Sequence, residues 1–346
     1  MTTNRKLGLQ MEAEMAQQPE VLMRLSERFA DIASRVQAAT TEPVPGVTFL
    51  ARGSSDNAAL LGRYVVELTS GLPTSLVAPS ILTAYHASTR GYALWTVVAL
   101  SQSGRTPEIV DLARQFEADA GATVIGITND ESSELAVTAS VAVGLRAGVE
   151  LAVPATKTVT AQMLATVAAA AGVTGDQSFA ADLPQLADRA AALIADTEAV
   201  EAVAERLATH RRMVVVGRGL MYPAAKETAL KLQETTGAMA HGFSTADFLH
   251  GPIAACGPDA PAVLLAGSGP ADQDTLDLRR VLEARGTPTV VVGTEPGHDI
   301  SLPAGDGLTD CLLGTIRGQQ LALAICRRLG RDPDQPHGLT KVTFTH

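Results

Sequence analysis

Twice in this chain a short apolar run stops at a small glycine-bearing loop and restarts as a helix. Gly46 to Ala51 reads as a buried strand, Arg52-Gly53-Ser54-Ser55 as the loop, and Asp56 to about Ser70 as the helix. Met213 to Val216 is a strand again, Gly217-Arg218-Gly219 a tight loop, and Pro223 to Thr236 a helix with proline near its first turn. Such units can bury an apolar strand only inside a parallel sheet with helices on both faces, which makes the chain α/β.

Each restart is followed by further strands. After the first come Leu94 to Leu100, the loop Ser101 to Thr106, a helix from Pro107 to Gly121, the strand Ala122 to Thr128 and a shorter one at Val141 to Leu145. After the second come Ala262 to Ala266, Pro288 to Val292 and a long helix from about Leu312 to Gly330. A length of 346 residues exceeds what one core usually serves. The expected organisation is a helical lead-in over 1–45, periodic from Gln10 to about Ala39 and broken at Thr40 to Pro45, and then a first domain over 46–175. Alanine-rich connecting helices over 176–209, a second domain over 210–330 and a proline-containing tail over 331–346 complete it.

Composition removes several function classes. With 37 acidic against 27 basic residues and a net charge of −10, the chain lacks the basic surface that a nucleic-acid backbone requires. Cys256, Cys311 and Cys326 are odd in number and show no CxxC spacing, so a disulfide framework is not expected and reduced thiols in the cytoplasm are. The first residues are polar and amphipathic, unlike a signal peptide. Met163 to Val173 is the most apolar run and falls short of the ~18 residues of a membrane span. A soluble protein with no membrane partner is the expectation.

Chemistry concentrates in four places. The loop Ser101 to Thr106 follows a strand and opens a helix, where an open α/β sheet receives ligands, and Ser101, Gln102, Ser103 and Thr106 supply neutral donors suited to a phosphate. The same hydroxyls could simply cap the helix. In the string KETALKLQETTG, Lys231 and Glu234 share a helix face, while Glu227 and Lys231 have the spacing of an ordinary surface pair, the commoner arrangement. His250 stands at a turn in DFLHGP, and a lone histidine is more often structural than catalytic. It forms no metal-ligand spacing with His241. The tail reads as a strand or strap on a sheet, or as a segment that carries Lys341 over a pocket and expels water from it.

Taken together, these strings resemble the isomerase half of glucosamine-6-phosphate synthase and the related type II amino-sugar-phosphate deaminases. The resemblance covers nearly the whole chain. It runs from Met11-x-x-Glu14-Met15-x-Gln17-Gln18-Pro19, through Gly53-Ser54-Ser55, Ser101-Gln102-Ser103-Gly104, Ala147-Gly148-Val149-Glu150 and Ala155-Thr156-Lys157, to Gly217-Arg218-Gly219, Ala229-Leu230-Lys231-Leu232-Gln233-Glu234, His250-Gly251-Pro252 and the tail. It implies two SIS domains, each a flavodoxin-like sheet, with a hexose or hexosamine 6-phosphate held by Ser101, Gln102, Ser103 and Thr106 and a pocket also lined by Ser55 and Val153.

The resemblance also assigns roles. The residue matching Glu234 moves a proton between C1 and C2, and Lys231 supports it. His250 opens the sugar ring, reaching in from the partner subunit of a homodimer, and Lys341 on the tail contacts the open-chain sugar and forms an imine with a ketose. No metal or organic cofactor is implied.

The chain also departs from the pattern. The glutaminase domain of the synthase has no counterpart among these residues, which moves the expectation from synthase to deaminase. Arg105 replaces a Glu, Gln233 a Lys, Arg52 a Cys, and His337-Gly338 an Arg-Asn pair. Arg52 and Arg105 are expected to add positive charge at the pocket mouth and to bear on which sugar fits. The leading reaction is aldose–ketose isomerisation with loss of the amino group, glucosamine 6-phosphate giving fructose 6-phosphate and ammonia. The alternatives are a fructosamine-phosphate deglycase, an ammonia-free phosphosugar isomerase and a sugar-phosphate sensor. Three groups suited to catalysis, Glu234, His250 and Lys341, weigh against a pure binder.

Overall fold

The computed structural model describes residues 7–341, so the first six residues of the lead-in and the last five of the tail lie outside it. In chain order the elements begin with helices α1 (Leu9–Ala16), α2 (Gln18–Glu27) and α3 (Phe29–Ala39). Then follow β1 (Val47–Leu50), α4 (Ser54–Ser70), β2 (Thr74–Leu76), α5 (Pro79–Thr83), β3 (Thr96–Leu100), α6 (Pro107–Ala120), β4 (Thr123–Thr128), α7 (Glu134–Thr138) and β5 (Val141–Gly144). Helices α8 (Lys157–Thr174), α9 (Leu183–Ala195) and α10 (Glu198–Leu207) lead to β6 (Arg212–Gly217), α11 (Met221–Thr236), β7 (Met239–Ser244) and α12 (Thr245–Leu249). The last elements are β8 (Ala262–Ala266), α13 (Asp272–Ala284), β9 (Thr289–Gly293), β10 (Ile300–Ser301) and α14 (Gly307–Arg328).

The strands form two five-stranded sheets, ordered β2-β1-β3-β4-β5 and β10-β9-β8-β6-β7, and every pairing is parallel. Reversed, the second order is β7-β6-β8-β9-β10, so the two sheets have the same topology with β1 answering to β6 and β3 to β8. By internal packing the chain divides into a unit built on the first sheet, Val21–Val149 with Thr158–Ala181, and a unit built on the second. The second-sheet unit takes in residues through Glu20, Glu150–Lys157 and Asp182–Lys341.

Central strands read as apolar runs because both of their faces are covered: β1 (VTFL), β3 (TVVAL) and β8 (AVLLA) are buried at every position. In the first-sheet unit Leu50, Val97, Ala99, Ile109 and Phe116 form one cluster, each large side chain contributing about 1.5–3 kcal/mol. In the second, Val214, Val216, Phe248, Leu264 and Val291 do the same. The run Met163 to Val173 lies in α8 and is buried throughout, as a helix apolar on every side must be. No described helix is long and apolar enough to cross a membrane.

Sequence reading finds the edge strand β5 and misses the other three edges of the sheets. β2 is three half-exposed residues, β10 is two, and β7 (MAHGFS) is mostly solvent-accessible, so none carries an apolar run. Helix α14 starts at Gly307, five residues before its expected start, with Asp306 accepting the Thr309 amide at 2.7 Å as its cap. Polar Thr309 and Asp310 hide that first turn although both are fully buried. The tail forms no strand through Lys341. Instead Asp332 accepts the Gly8 amide at 3.0 Å, and Asp334 accepts those of Gln10 at 2.8 Å and Met11 at 2.9 Å, capping α1.

Candidate active site

The loop between β3 and α6 keeps its hydroxyls to itself. Ser101 Oγ and Thr106 Oγ1 are 3.0 Å apart, the Gly104 amide donates to Ser101 Oγ at 3.2 Å, and the Arg105 amide donates to Ser103 Oγ at 3.2 Å. Thr106 is the N-cap of α6, yet its side chain accepts none of that helix's amides, and Pro107 fills the first helical position. The capping explanation therefore fails for Thr106, and the hydroxyls bond within the loop. Gly104 has φ +64°, and a Cβ there would sit 2.0 Å from Ser133 Oγ, so the tight turn requires glycine. Ser101 is buried while Gln102, Ser103 and Thr106 are partly open.

In the same unit Ser55 lies in the first turn of α4, not in the preceding loop, and donates to Gln162 Oε1 at 2.9 Å. The two arginines do not add free charge. Arg52 forms a two-point pair with Glu108 at 2.9 and 3.1 Å, and Arg105 pairs with Asp130 at 2.8 Å. The Ser132 hydroxyl, with Arg105 second, holds the Asp130 carboxyl down at about 2. The expectation of extra positive charge gives way to two neutralised pairs.

On α11 the expected surface pair is buried. Glu227 and Lys231 are both 0% exposed, with Nζ 3.3 Å from Glu227 Oε1, and Lys231 also bonds Glu234 Oε2. Glu234 alone of the three reaches solvent, at 21% side-chain exposure. The close approach of α14 causes this burial: a Cβ on Gly318 would lie 2.0 Å from Thr228 Oγ1, so glycine there lets the two helices meet. Burial pulls the Lys231 amine down, and the Glu227 and then the Glu234 carboxylate more than offset it, leaving it above its ordinary value. One lysine thus balances an inaccessible carboxylate and orients an accessible one.

His250 is the C-cap of α12, exposed, and among the described residues its imidazole has no hydrogen-bond partner. The structure makes no bond between it and Glu234.

Lys341 is seated. Its Nζ donates to Glu150 Oε2 at 3.1 Å and to the Ala152 carbonyl at 2.5 Å. Glu150 also accepts the Thr156 amide at 3.0 Å. Glu14, from α1, accepts the Leu151 and Ala152 amides. Burial raises the Glu14 carboxyl, the Leu151 amide opposes this, and the neighbouring Glu150 adds to it. Val153, half-buried, follows directly on this seat. Lys157, 2% exposed, donates to Gln17 Oε1 at 2.6 Å.

Comparison with known proteins decides the family. The SIS domain model matches residues 45–172 and 206–305. The chain belongs to the SIS domain family. It is 28% identical to a glutamine–fructose-6-phosphate aminotransferase of Chlamydia abortus over 96% of this chain and 58% of that protein, so it spans little more than half the length of such curated relatives. A candidate phosphosugar isomerase of Silicibacter pomeroyi DSS-3 has a similar structure, with TM-score 0.83 and 29% identity over 94% of this chain and 99% of that one. The C-terminal domain of glucosamine-fructose-6-phosphate aminotransferase from Francisella tularensis shares the fold at TM-score 0.86 and 23% identity, covering 97% of this chain and 100% of that one.

Several of the groups just described fall outside both SIS matches, Glu14 on the lead-in and Lys341 on the tail among them. Glu150 lies inside the first SIS match in sequence but packs with the second-sheet unit. Sequence reasoning quoted Glu14, Glu150 and Lys157 without giving them roles. For Glu14 a signal existed: it shares a helix face with Met11 and Met15, and all three are buried, so a carboxylate sits on an apolar stripe. Glu150 and Lys157 lie at a loop and a helix start, where periodicity says nothing. Among the described residues no group of three or more His, Cys, Asp or Glu is placed to hold a metal, and the three cysteines are free thiols.

Proposed function

We propose that the chain interconverts the aldose and ketose forms of a hexosamine 6-phosphate and releases the nitrogen, glucosamine 6-phosphate and water giving fructose 6-phosphate and ammonia. The observation that carries this reading is the α11 triad, in which a buried lysine orients the one carboxylate that solvent reaches. A carboxylate so placed takes a proton from C2 of the open-chain sugar and returns it to C1 through an enol or enamine, and the C2 imine that results adds water and loses ammonia. Names borne by similar proteins, a phosphosugar isomerase and an aminotransferase acting on fructose 6-phosphate, support the same carbon chemistry.

In this reading Ser101, Gln102, Ser103 and Thr106 hold the phosphate, aided by Ser55 and Val153. Glu234 is the proton carrier and Lys231 its support, His250 opens the ring, and Lys341 forms an imine with the ketose. His250 serves the site of a partner copy in a homodimer, so mixing inactive His250→Ala and Glu234→Gln subunits restores part of the activity. No recovery after verified subunit exchange removes the shared site.

The test is ammonia release from a panel of hexosamine 6-phosphates, with ketose phosphate followed in parallel. Equal amounts of both from one sugar are expected. Ketose without ammonia from simple aldose phosphates leaves only the isomerase, and binding without turnover makes the chain a sensor.

A further inference from the structure

The seat of Lys341 goes unused in the mechanism above. Its ε-ammonium ends a long flexible stem, on a tail with no helix or strand between Asp334 and Lys341. Holding such a stem in one place costs up to ~2 kcal/mol of rotamer freedom, so a nitrogen that must meet a carbonyl carbon in a fixed direction needs an external hold. The structure shows two acceptors on it, Glu150 Oε2 at 3.1 Å and the Ala152 carbonyl at 2.5 Å. In the neutral amine those two acceptors take both N–H bonds, and the remaining tetrahedral direction carries the lone pair toward a reacting carbon.

The seat is not an ordinary surface pair. The Glu150 side chain is 0% exposed, and its other oxygen is committed to the Thr156 amide, so Oε2 cannot swing to water. The residue that offers the Ala152 carbonyl is itself held at its amide, because Glu14 accepts the Leu151 and Ala152 amides on the peptides just before it. Removing the lysine from such a pair would leave the fully buried Glu150 carboxylate without its cation, which is costly.

We infer that Glu150 is the positioning residue for Lys341: it seats the lysine nitrogen for attack on the sugar carbonyl, and Glu14 supports it by fixing the 151–152 backbone. This rests on the reading of Lys341 as the imine-forming residue. In that step the ammonium first gives one proton to the Glu150 carboxylate, the lone pair so freed adds to the C2 carbonyl of the ketose, and the two hydrogens left on nitrogen pass to the carbonyl oxygen, which departs as water and leaves the C=N bond.

The experiment mixes the full chain with fructose 6-phosphate and sodium borohydride, whose hydride reduces the C=N bond to a stable secondary amine, and locates the adduct by peptide mass. Wild type is expected to carry it on Lys341. Glu150→Gln keeps size and one acceptor oxygen but loses the charge, and should slow trapping by ~100-fold. Glu150→Asp keeps the charge but withdraws it by one methylene, and should fall between the two. A purely structural role would lower thermal stability and leave the trapping rate per folded molecule unchanged in both variants, which overturns the inference. If Glu150→Gln does not fold, Glu150→Asp decides alone, a wild-type trapping rate contradicting the assignment. An adduct absent from wild-type Lys341 removes the imine reading itself, and with it the role given to Glu150.

Discussion

The loops after β3 and β8 hold the same place in sheets of the same strand order, yet they are filled differently. After β3, serine and threonine hydroxyls bond one another and the loop's own amides. After β8 the donors are spent on carboxylates of the protein itself: Asp310 accepts the Ser268 amide at 2.7 Å, the Ser268 hydroxyl at 2.5 Å and the Gly305 amide at 2.9 Å. Asp272 accepts the Gly269 amide at 2.9 Å. The loop after β8 thus has its donors bound to the protein's own carboxylates, while the hydroxyls of the loop after β3 have no such carboxylate as a partner among the described residues.

The helices that follow β1 and β6 differ in the opposite sense. α4 buries the neutral Ser55 and Asn57, whereas α11 buries Glu227 and Lys231 and leaves Glu234 part-open. Two sheets of one strand order thus carry different chemistry, which the proposed function reads as binding at the loop after β3 and proton transfer on α11.

Breaking the ionic helix should have the largest effect. Lys231→Met removes the cation paired with Glu227, a carboxylate with no exposure, and a loss of about 3–5 kcal/mol in urea unfolding is expected. The matching change on α4, Ser55→Ala, removes one neutral hydrogen bond and should cost about 1 kcal/mol. Equal costs would erase the contrast between the helices.

The self-filled loop should reveal itself through pH. Burial, opposed by the Gly267 and Gly269 amides and reinforced by Asp310, pushes the Asp272 carboxyl up to about 6, against about 3.9 for a free aspartate. Between those values the folded chain holds a proton that the unfolded chain has released. The stabilisation is therefore complete below about pH 4 and is lost as pH rises through 6, by roughly 2–3 kcal/mol. Asp272→Asn fixes the neutral form. Unfolding measured at pH 4.5 and 7.5 should show wild type losing that much more than the variant, and parallel pH profiles would contradict it.

A smaller effect sharpens the loop comparison. Ser103→Ala should weaken binding of a hexose 6-phosphate about tenfold, roughly 1.4 kcal/mol, while Ser268→Ala should leave that affinity unchanged and affect only stability. Calorimetric titration of both variants reads the difference directly.

How much of this the sequence discloses follows from burial. Strands covered on both faces, such as β3 and β8, announce themselves as apolar runs, and with them the fold. Edge strands β2, β7 and β10 do not, since water covers part of each. The loop Ser101 to Thr106 is legible because a local run of donors falls where a strand meets a helix. Burial of the Glu227–Lys231 pair is not, because spacing along a helix is the same whether solvent or α14 faces it, and only the distant Gly318 settles which. The seat of Lys341 is less legible still, being assembled from residues 14, 150, 152 and 341.

The measurement that bears most directly on the division of labour is Glu234→Gln, with kcat and the dissociation constant of the substrate measured on the same preparation. Loss of kcat by about 1,000-fold or more with a dissociation constant within about twofold of wild type is predicted, since the amide keeps shape and hydrogen bonding but cannot carry the proton. Turnover near the wild-type rate, or binding lost together with turnover, would contradict the assignment of proton transfer to α11 and of binding to the loop after β3.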